Sequence, residues 1–328
     1  MEVLVIGLGS MGKRRIRLLK RFDQVTNIVG VDGRADRREE AQRTLGCAVC
    51  ASTQEAFEKF PQMACAFVCT SPLSHSAIIE EMLRHNLHVF TEINLVADGY
   101  ARNMRLADEM GKVLFLSSTF YFREEIQHIR KHVCGKENLN YVYHIGQYLP
   151  DWHPWENYKD FFVGDPKTNG CREIMAIELP WLIGTFGDVQ NMHVVSGHMS
   201  QLKLAYPDHY MIQFEHENGN KGLLVVDVVS PKAVRNLEVY GENLYFSWNG
   251  SPDSLEAFDP ADRKTKKVAL MENAEHIDGY GTFIIENAYE NEIREFFNVV
   301  CNQAVPQYGF AKDLEILKLI DRIEGIHE

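Results

Sequence analysis

Gly7, Gly9 and Gly12 stand in G-x-G-x-x-G spacing behind the apolar run Val3-Leu4-Val5-Ile6, with Ser10 and Met11 between the last two glycines. Twenty positions after Gly12, a second apolar run, Ile28-Val29-Gly30-Val31, ends on Asp32. Each residue type meets a demand of dinucleotide binding. Gly7 permits a tight turn, Gly9 lets the backbone approach a pyrophosphate, and Gly12 lets the next helix pack close to the strand. That helix, over residues 13–21, points its N-terminal N–H groups and positive dipole end at the phosphates. Asp32 falls where a carboxylate accepts hydrogen bonds from a ribose 2′-OH. This favours NAD over NADP, whose 2′-phosphate would meet a like charge. Arg34 and Arg37 follow closely enough for an arginine to receive that phosphate instead.

A second group of polar and aromatic residues lies near mid-chain. Tyr148, Asp151, Trp152, His153 and Trp155 crowd the end of an expected strand. Aromatic faces with hydrogen-bonding groups at their rim suit pyranose rings, although large aromatics serve equally well as core or interface residues. His153 is a candidate acid/base, since imidazole is the side chain suited to proton transfer near neutral pH. Tyr121 and Arg123 follow the last strand of the first domain. The Arg123 guanidinium is suited to bidentate capture of a carboxylate or phosphate, or to an ion pair.

These residues need a scaffold. A chain of 328 residues suits two domains, and 45% hydrophobic with 24% charged residues is ordinary for a globular protein. The net charge of −12, with no Lys/Arg-rich block, speaks against nucleic acid or an anionic membrane as partner. No apolar stretch approaches a membrane span, and the chain opens directly on a strand pattern, so we expect neither a signal peptide nor an anchor. Seven cysteines without a disulfide framework fit a reducing, cytoplasmic setting. Cys47-Ala48-Val49-Cys50 has C-x-x-C spacing but lacks the companions of a zinc or redox site, and no metal is expected.

Up to residue 120, strand and helix patterns alternate, with the buried run Ala64-Cys65-Ala66-Phe67-Val68-Cys69-Thr70 suited to a central parallel strand. Beyond it, period-2 segments dominate, Asn218-Gly219 marks a hairpin, and two amphipathic helices close the chain. The expected fold is α/β. Residues 1–120 form a Rossmann domain with a doubly wound parallel sheet. Residues 121–328 form an α+β domain with a largely antiparallel sheet, whose C-terminal helix can pack back on the first domain.

The fingerprint Ile6-Gly7-Leu8-Gly9-Ser10-Met11-Gly12-Lys13-Arg14-Arg15 resembles the first motif of the glucose-fructose oxidoreductase / inositol dehydrogenase / rhizopine-catabolism (Gfo/Idh/MocA) family. Thr70-Ser71-Pro72-Leu73-Ser74-His75 is similar to its T-P-x-x-x-H loop, which the resemblance places on the nicotinamide side of the cofactor with His75. Tyr148-Leu149-Pro150-Asp151-Trp152-His153-Pro154 resembles a segment of members tied to nucleotide-sugar and surface-glycan pathways. The run 289–297 is similar to the family's closing helix. The resemblance also implies a role for Glu92 near the nicotinamide ribose, the alternative being a strand-end ion pair.

Two departures bear on chemistry. The family's Glu-Lys-Pro reads Glu92-Ile93-Asn94 here, so the lysine that positions a substrate hydroxyl is replaced. The family's histidine acid/base has no counterpart in Gly170-Cys171-Arg172-Glu173-Ile174-Met175-Ala176-Ile177-Glu178-Leu179-Pro180, where Glu178 or Ile177 stands at its register. Carboxylates in apolar company are costly without partners, which makes Glu178 and Glu173 site candidates, with a structural Arg–Glu pair as the competing reading. Arg172 joins Tyr121, Arg123, Tyr148, Asp151 and Trp152 as candidate substrate contacts. For proton transfer the order is Glu178, His153, Glu173.

The resemblance implies an NAD-dependent oxidoreductase acting on a sugar, amino sugar or nucleotide-linked sugar, with the nicotinamide in the cleft between domains. It also implies a homo-oligomer, dimer or tetramer, built on the antiparallel sheet. Two other readings stand beside it: an NAD-retaining lyase or epimerase that oxidises its substrate transiently, and a non-catalytic dinucleotide-binding sensor or partner subunit.

Overall fold

The computed structural model describes residues 1–328 apart from 155, 271–273, 276–283, 303 and 327–328. Trp155 therefore lies outside the described residues. The chain divides into two compact units, one formed by Met1–Ser118 with Tyr289–Glu315, the other by Thr119–Ala288 with Ile316–Glu328. Residues 289–315 thus join the first unit.

The first unit is built on β1 (Glu2–Ile6), β2 (Asn27–Val31), β3 (Ala48–Cys50), β4 (Met63–Val68), β5 (His88–Thr91) and β6 (Leu114–Leu116). They form one sheet in the order β3-β2-β1-β4-β5-β6, with every pair parallel. The order reverses between β1 and β4, the topological switch point where open α/β sheets bind ligands. Central strands in such a sheet are covered on both faces, which is why Val3–Ile6 of β1 and all of β4 are apolar runs. Helices α1 (Ser10–Leu19), α2 (Ala35–Leu45), α3 (Thr53–Lys59), α4 (His75–Arg84) and α5 (Tyr100–Met110) supply the crossovers. Phe67, Phe90 and Phe115 stack across neighbouring strands at 4.6 and 5.3 Å, and Phe296 meets all three edge-on. That contact anchors the 289–315 segment to the sheet.

The second unit begins with α6 (Glu124–Val133) and β7 (Asn140–Gly146), followed by the long buried helix α7 (Gly170–Phe186). Its remaining strands are β8 (Val189–Gly197), β9 (His209–His216), β10 (Lys221–Asp227), β11 (Val234–Gly241), β12 (Leu244–Trp248), β13 (Glu256–Asp259) and β14 (Lys264–Lys267). The sheet order is β14-β13-β12-β11-β7-β10-β9-β8. All pairs are antiparallel except β7 with β10. Alternating burial along β9 marks one covered and one open face. Gly219, with φ +82°, supplies the left-handed turn residue of the β9–β10 hairpin. Helices α8 (Glu286–Asn302) and α9 (Phe310–Glu324) complete the chain. Among the described residues no helix is long and apolar enough to cross a membrane.

Candidate active site

The glycine turn between β1 and α1 is shaped by contact. Gly7 has φ +92° and donates its N–H to the Val31 carbonyl at 2.8 Å. A Cβ on Gly7 would lie 2.6 Å from the Cys69 carbonyl oxygen, and one on Gly12 only 1.8 Å from that of Gly7. These two glycines close the turn against itself and against the end of β4. Gly9 differs, because a Cβ there would meet nothing nearer than the Arg37 guanidinium at 3.7 Å. The open backbone at Gly9, with Ser10 and Met11 starting α1, is therefore accessible to a ligand. Gly9 offers no side-chain cap to α1, and the first turn carries no acid. The helix N-terminus is left with donors and a positive dipole end, which fits a pyrophosphate.

Asp32 ends β2 beside this turn. Its Oδ2 accepts from the Leu8 N–H and its Oδ1 from the Arg34 N–H, both at 2.9 Å. Each oxygen is thus oriented by one backbone donor and keeps lone-pair capacity for a ribose hydroxyl. The residues present fit an adenine dinucleotide.

The loop after β4 is internally tied. Ser74 donates to the Ser71 carbonyl, Thr70 and Ser74 hydroxyls meet at 2.7 Å, and Pro72 opens a 3-10 turn. His75 is fully buried, with Nε2 at 2.9 Å from the Thr70 carbonyl oxygen and Nδ1 at 2.8 Å from Asn94 Oδ1. Burial lowers its pKa, so the ring is neutral. Both ring nitrogens are engaged, and His75 acts as a clasp between the loop and the segment after β5. Glu92 is in the ion-pair arrangement: Arg15 donates Nε and Nη2 to its two oxygens at 2.6 and 3.1 Å. The same guanidinium reaches Glu292 at 2.7 Å, and Ser117 and the Ser118 N–H also donate to that carboxylate. Burial pushes the Glu292 carboxyl upward, against the pull of Arg15.

In the second unit the candidate residues fall into separate knots. Glu178 is completely buried and accepts from Arg235, Tyr143 and Trp181. Arg172 is buried against Asp321 and Glu324 on α9. Arg123 forms a fork with Glu125, donates to the Gly250 carbonyl and lies 4.9 Å over the Trp248 ring. Arg123 and Arg172, both candidate substrate contacts, are thus held in buried ion pairs, the alternative weighed for each, because their charges required fixed partners. Tyr121 is likewise committed, donating to the Pro180 carbonyl at 2.8 Å, with Arg130 over its ring. His153 pairs with Glu156 at 2.7 Å and stacks on Phe161.

What the structure does bring together surrounds the start of α7. Tyr148 leads into the 3-10 turn Leu149–Asp151, whose Leu149 N–H is held by the Val228 carbonyl. Asp151 is exposed. Trp152 donates to the Gln147 carbonyl, and its ring comes within 3.6 Å of a Cβ placed on Gly170. The Tyr206 hydroxyl stands 3.4 Å from the Gly170 nitrogen and donates to Val163. Glu173 lies one turn on. Its Oε2 is sealed from solvent with no hydrogen-bond partner among the described residues, and burial pushes its pKa up to about 8. Tyr206, Tyr143 and Arg235 were not read as partners from the sequence. The signal for Arg235 was its place in register with the inward-facing Leu237 and Val239 of β11.

Comparison with known proteins agrees with this geometry. Residues 1–118 match the family model described as GFO_IDH_MocA, oxidoreductase family, NAD-binding Rossmann fold. Biliverdin reductase A of Mus musculus is 28% identical over 223 residues, which is 66% of this chain and 67% of that protein. The UDP-N-acetylglucosamine 3-dehydrogenase GnnA from Acidithiobacillus ferrooxidans superposes with a TM-score of 0.77 at 15% identity, covering 99% of this chain and 97% of its own. A levoglucosan dehydrogenase in complex with NADH superposes with a TM-score of 0.80 at 15% identity, covering 99% and 96%. At such identities the structural likeness establishes the fold. Residues 1–118 are thus matched by the NAD-binding Rossmann domain of the Gfo/Idh/MocA oxidoreductase family.

Proposed function

We propose that this chain is an NAD-dependent oxidoreductase acting on a hydroxylated ring of the sugar, amino-sugar or nucleotide-sugar class, with Glu173 as its proton-transfer residue. When bound, NAD supplies hydride exchange with a carbinol carbon. The observation that carries the assignment of Glu173 is its sealed, unpartnered Oε2. Glu178 has no oxygen left to offer, and His153 is tied to Glu156. A carboxyl with a pKa of about 8 is protonated at neutral pH, so it suits proton donation to the oxygen of a carbonyl under reduction. Above that pH the same group is a base and suits alcohol oxidation. Trp152, Tyr148 and Asp151 supply the aromatic face and polar rim that a pyranose requires.

The likeness to biliverdin reductase A favours a second reading, reduction of a linear tetrapyrrole. The commitment of Arg123 and Arg172 to internal carboxylates speaks against it, since propionate groups call for available cations. Stopped-flow absorbance of the nicotinamide with a panel of sugars, nucleotide sugars and biliverdin separates the readings. Sustained conversion with a sugar supports the proposal. Transient conversion points to an NAD-retaining lyase or epimerase. Conversion with biliverdin alone overturns the substrate class, and no conversion with any compound favours a binding protein without turnover.

A further inference from the structure

His75 lies between two groups whose hydrogen-bonding character is set by chemistry. A carbonyl oxygen only accepts, so the 2.9 Å contact of Nε2 with the Thr70 carbonyl places a proton on Nε2. A neutral ring then carries a bare lone pair on Nδ1. The atom facing that lone pair at 2.8 Å is Asn94 Oδ1, which also only accepts. The contact is favourable in two cases: Nδ1 holds a second proton, or the amide is turned to present Nδ2. Burial opposes the second proton, and the carboxylate that would support it, Glu92, is already gripped by Arg15. Thr91 Oγ1, 3.3 Å from Nδ1, has a single proton and directs it to the Glu92 carbonyl at 3.2 Å.

The far side of the same amide faces a small cavity between α4, α5 and the segment after β5. Asn94, Asn103 and Ser76 line it, and the two asparagines are 4% and 1% exposed. Asn103 donates Nδ2 to the Ser76 carbonyl at 3.0 Å, which fixes the identity of its other amide atom as oxygen. That Oδ1 has no hydrogen-bond partner among the described residues, and neither has Asn94 Nδ2.

We propose that Asn94 presents Nδ2 to His75 Nδ1, and that Asn94 Oδ1, Asn103 Oδ1 and the Ser76 hydroxyl form a site for one buried water. The turned amide replaces two opposed lone pairs with an N–H···N hydrogen bond and sets two acceptor oxygens on the cavity. A water donates one proton to each oxygen and accepts from Ser76, whose hydroxyl otherwise takes only a long contact from Arg102 at 3.4 Å. Three hydrogen bonds are the usual complement of a buried water. The cavity leaves about 10 Å³ for the centre of a water molecule, which is room for one. Asn94 is thereby a positioning residue. It fixes His75 as the neutral Nε2–H tautomer, and that proton holds the Thr70 carbonyl and with it the loop 70–75. A proline at position 94, as in the family's Glu-Lys-Pro, would offer His75 no donor, so the arrangement belongs to this chain. It stands independently of the substrate class.

Neutron diffraction from crystals of the full-length protein in D₂O, near neutral pD, reads the deuterons directly. The expected map has one deuteron on the His75 ring, at Nε2, with the Asn94 amide nitrogen facing Nδ1. One D₂O should lie among Asn94, Asn103 and Ser76. Deuterons on both ring nitrogens, or the amide oxygen facing Nδ1, overturn the assignment, and a cavity without water overturns the site. In solution, ¹⁵N shifts of the His75 ring report the same tautomer. The carboxylate of Asn94→Asp only accepts, so it should draw a second proton onto Nδ1 and raise the pH at which the ring becomes neutral by about 1 or more. An unchanged ring titration in folded Asn94→Asp overturns the positioning role. Asn103→Leu should remove the water and leave the His75 tautomer as it is. A His75 ring that gains a second proton in Asn103→Leu overturns the assignment of its tautomer to Asn94.

Discussion

Arg235 grips Glu178 through two nitrogens on one oxygen, with Nε at 3.1 Å and Nη2 at 2.7 Å from Oε1. The other oxygen, Oε2, accepts from the Tyr143 hydroxyl and the Trp181 indole, each at 2.8 Å. The Arg235 guanidinium also covers the Phe120 ring at 4.5 Å. Glu178 came first for proton transfer on its sequence position. Four donors around a fully buried carboxylate describe a fixed charge that ties α7 to β7 and β11.

Glu178→Gln should therefore act on stability. Removing one charge of a buried pair leaves the other uncompensated, a loss of about 3 kcal/mol. Urea denaturation followed by tryptophan fluorescence should report it, since Trp181 is a direct partner. Turnover per folded molecule should stay within about threefold of wild type, well short of the loss expected on removing an acid/base. An unchanged midpoint combined with a hundredfold loss of turnover would return Glu178 to the chemistry.

Glu173→Gln should do the reverse. The proton-transfer reading predicts a loss of about 10²-fold in single-turnover hydride transfer with cofactor affinity unchanged. In wild type, carbonyl reduction should decline as pH rises through about 8, and alcohol oxidation should rise over the same interval. The folded pKa lies above the ordinary value of 4.5, so the stability contribution of Glu173 is fully present below that value. It is lost as pH rises through about 8, and Gln should abolish that dependence. A flat pH–rate profile in wild type would remove Glu173 from the mechanism.

The parts of the fold that came through in the sequence are those with local causes. The β1 turn, the buried run of β4 and the Asn218-Gly219 hairpin each follow from patterns within a dozen residues. Strands β13 and β14 did not, because Glu256–Asp259 and Lys264–Lys267 lack a fully buried face and carry no apolar alternation. The parallel pairing of β7 with β10 was also hidden, since it joins segments separated by α7 and two strands. The site was less legible still. Carboxylates in apolar company could be recognised, but their partners could not: Arg235 is 57 positions from Glu178 and Glu292 is 277 from Arg15. Long-range partners decide whether a buried acid is a fixed charge or a titrating group, and no local pattern encodes them.

The glycines of the nucleotide turn should separate binding from folding. At Gly9 a side chain has room, so Gly9→Val should fold normally and lose NAD⁺ affinity by at least about tenfold, because it occupies the pyrophosphate approach. At Gly12 a Cβ would fall 1.8 Å from the Gly7 carbonyl oxygen, so Gly12→Val must displace α1 from β1. That variant should be destabilised as well as unable to bind. Thermal melts beside cofactor titrations check both. Unchanged affinity in folded Gly9→Val would place the dinucleotide elsewhere.

Asp313 offers a pH test confined to the first unit. It is buried at the start of α9 and accepts from the Tyr100 and Tyr308 hydroxyls at 2.5 and 2.6 Å. Burial raises its pKa from 3.8 to about 6, with the two tyrosine hydrogen bonds pulling the other way. An acid whose folded pKa lies above its unfolded value binds its proton more tightly when folded. Its favourable contribution is complete below 3.8 and is lost as pH rises through about 6, after which it is constant. Asp313→Asn carries no titrating proton. The difference in unfolding free energy between Asn and wild type should therefore move in favour of Asn from pH 4 to about 6 and then level off. Isothermal urea melts of both proteins across that range cancel every other titrating group they share. A difference that does not change with pH would mean that the Asp313 carboxylate is as well stabilised inside the fold as in water.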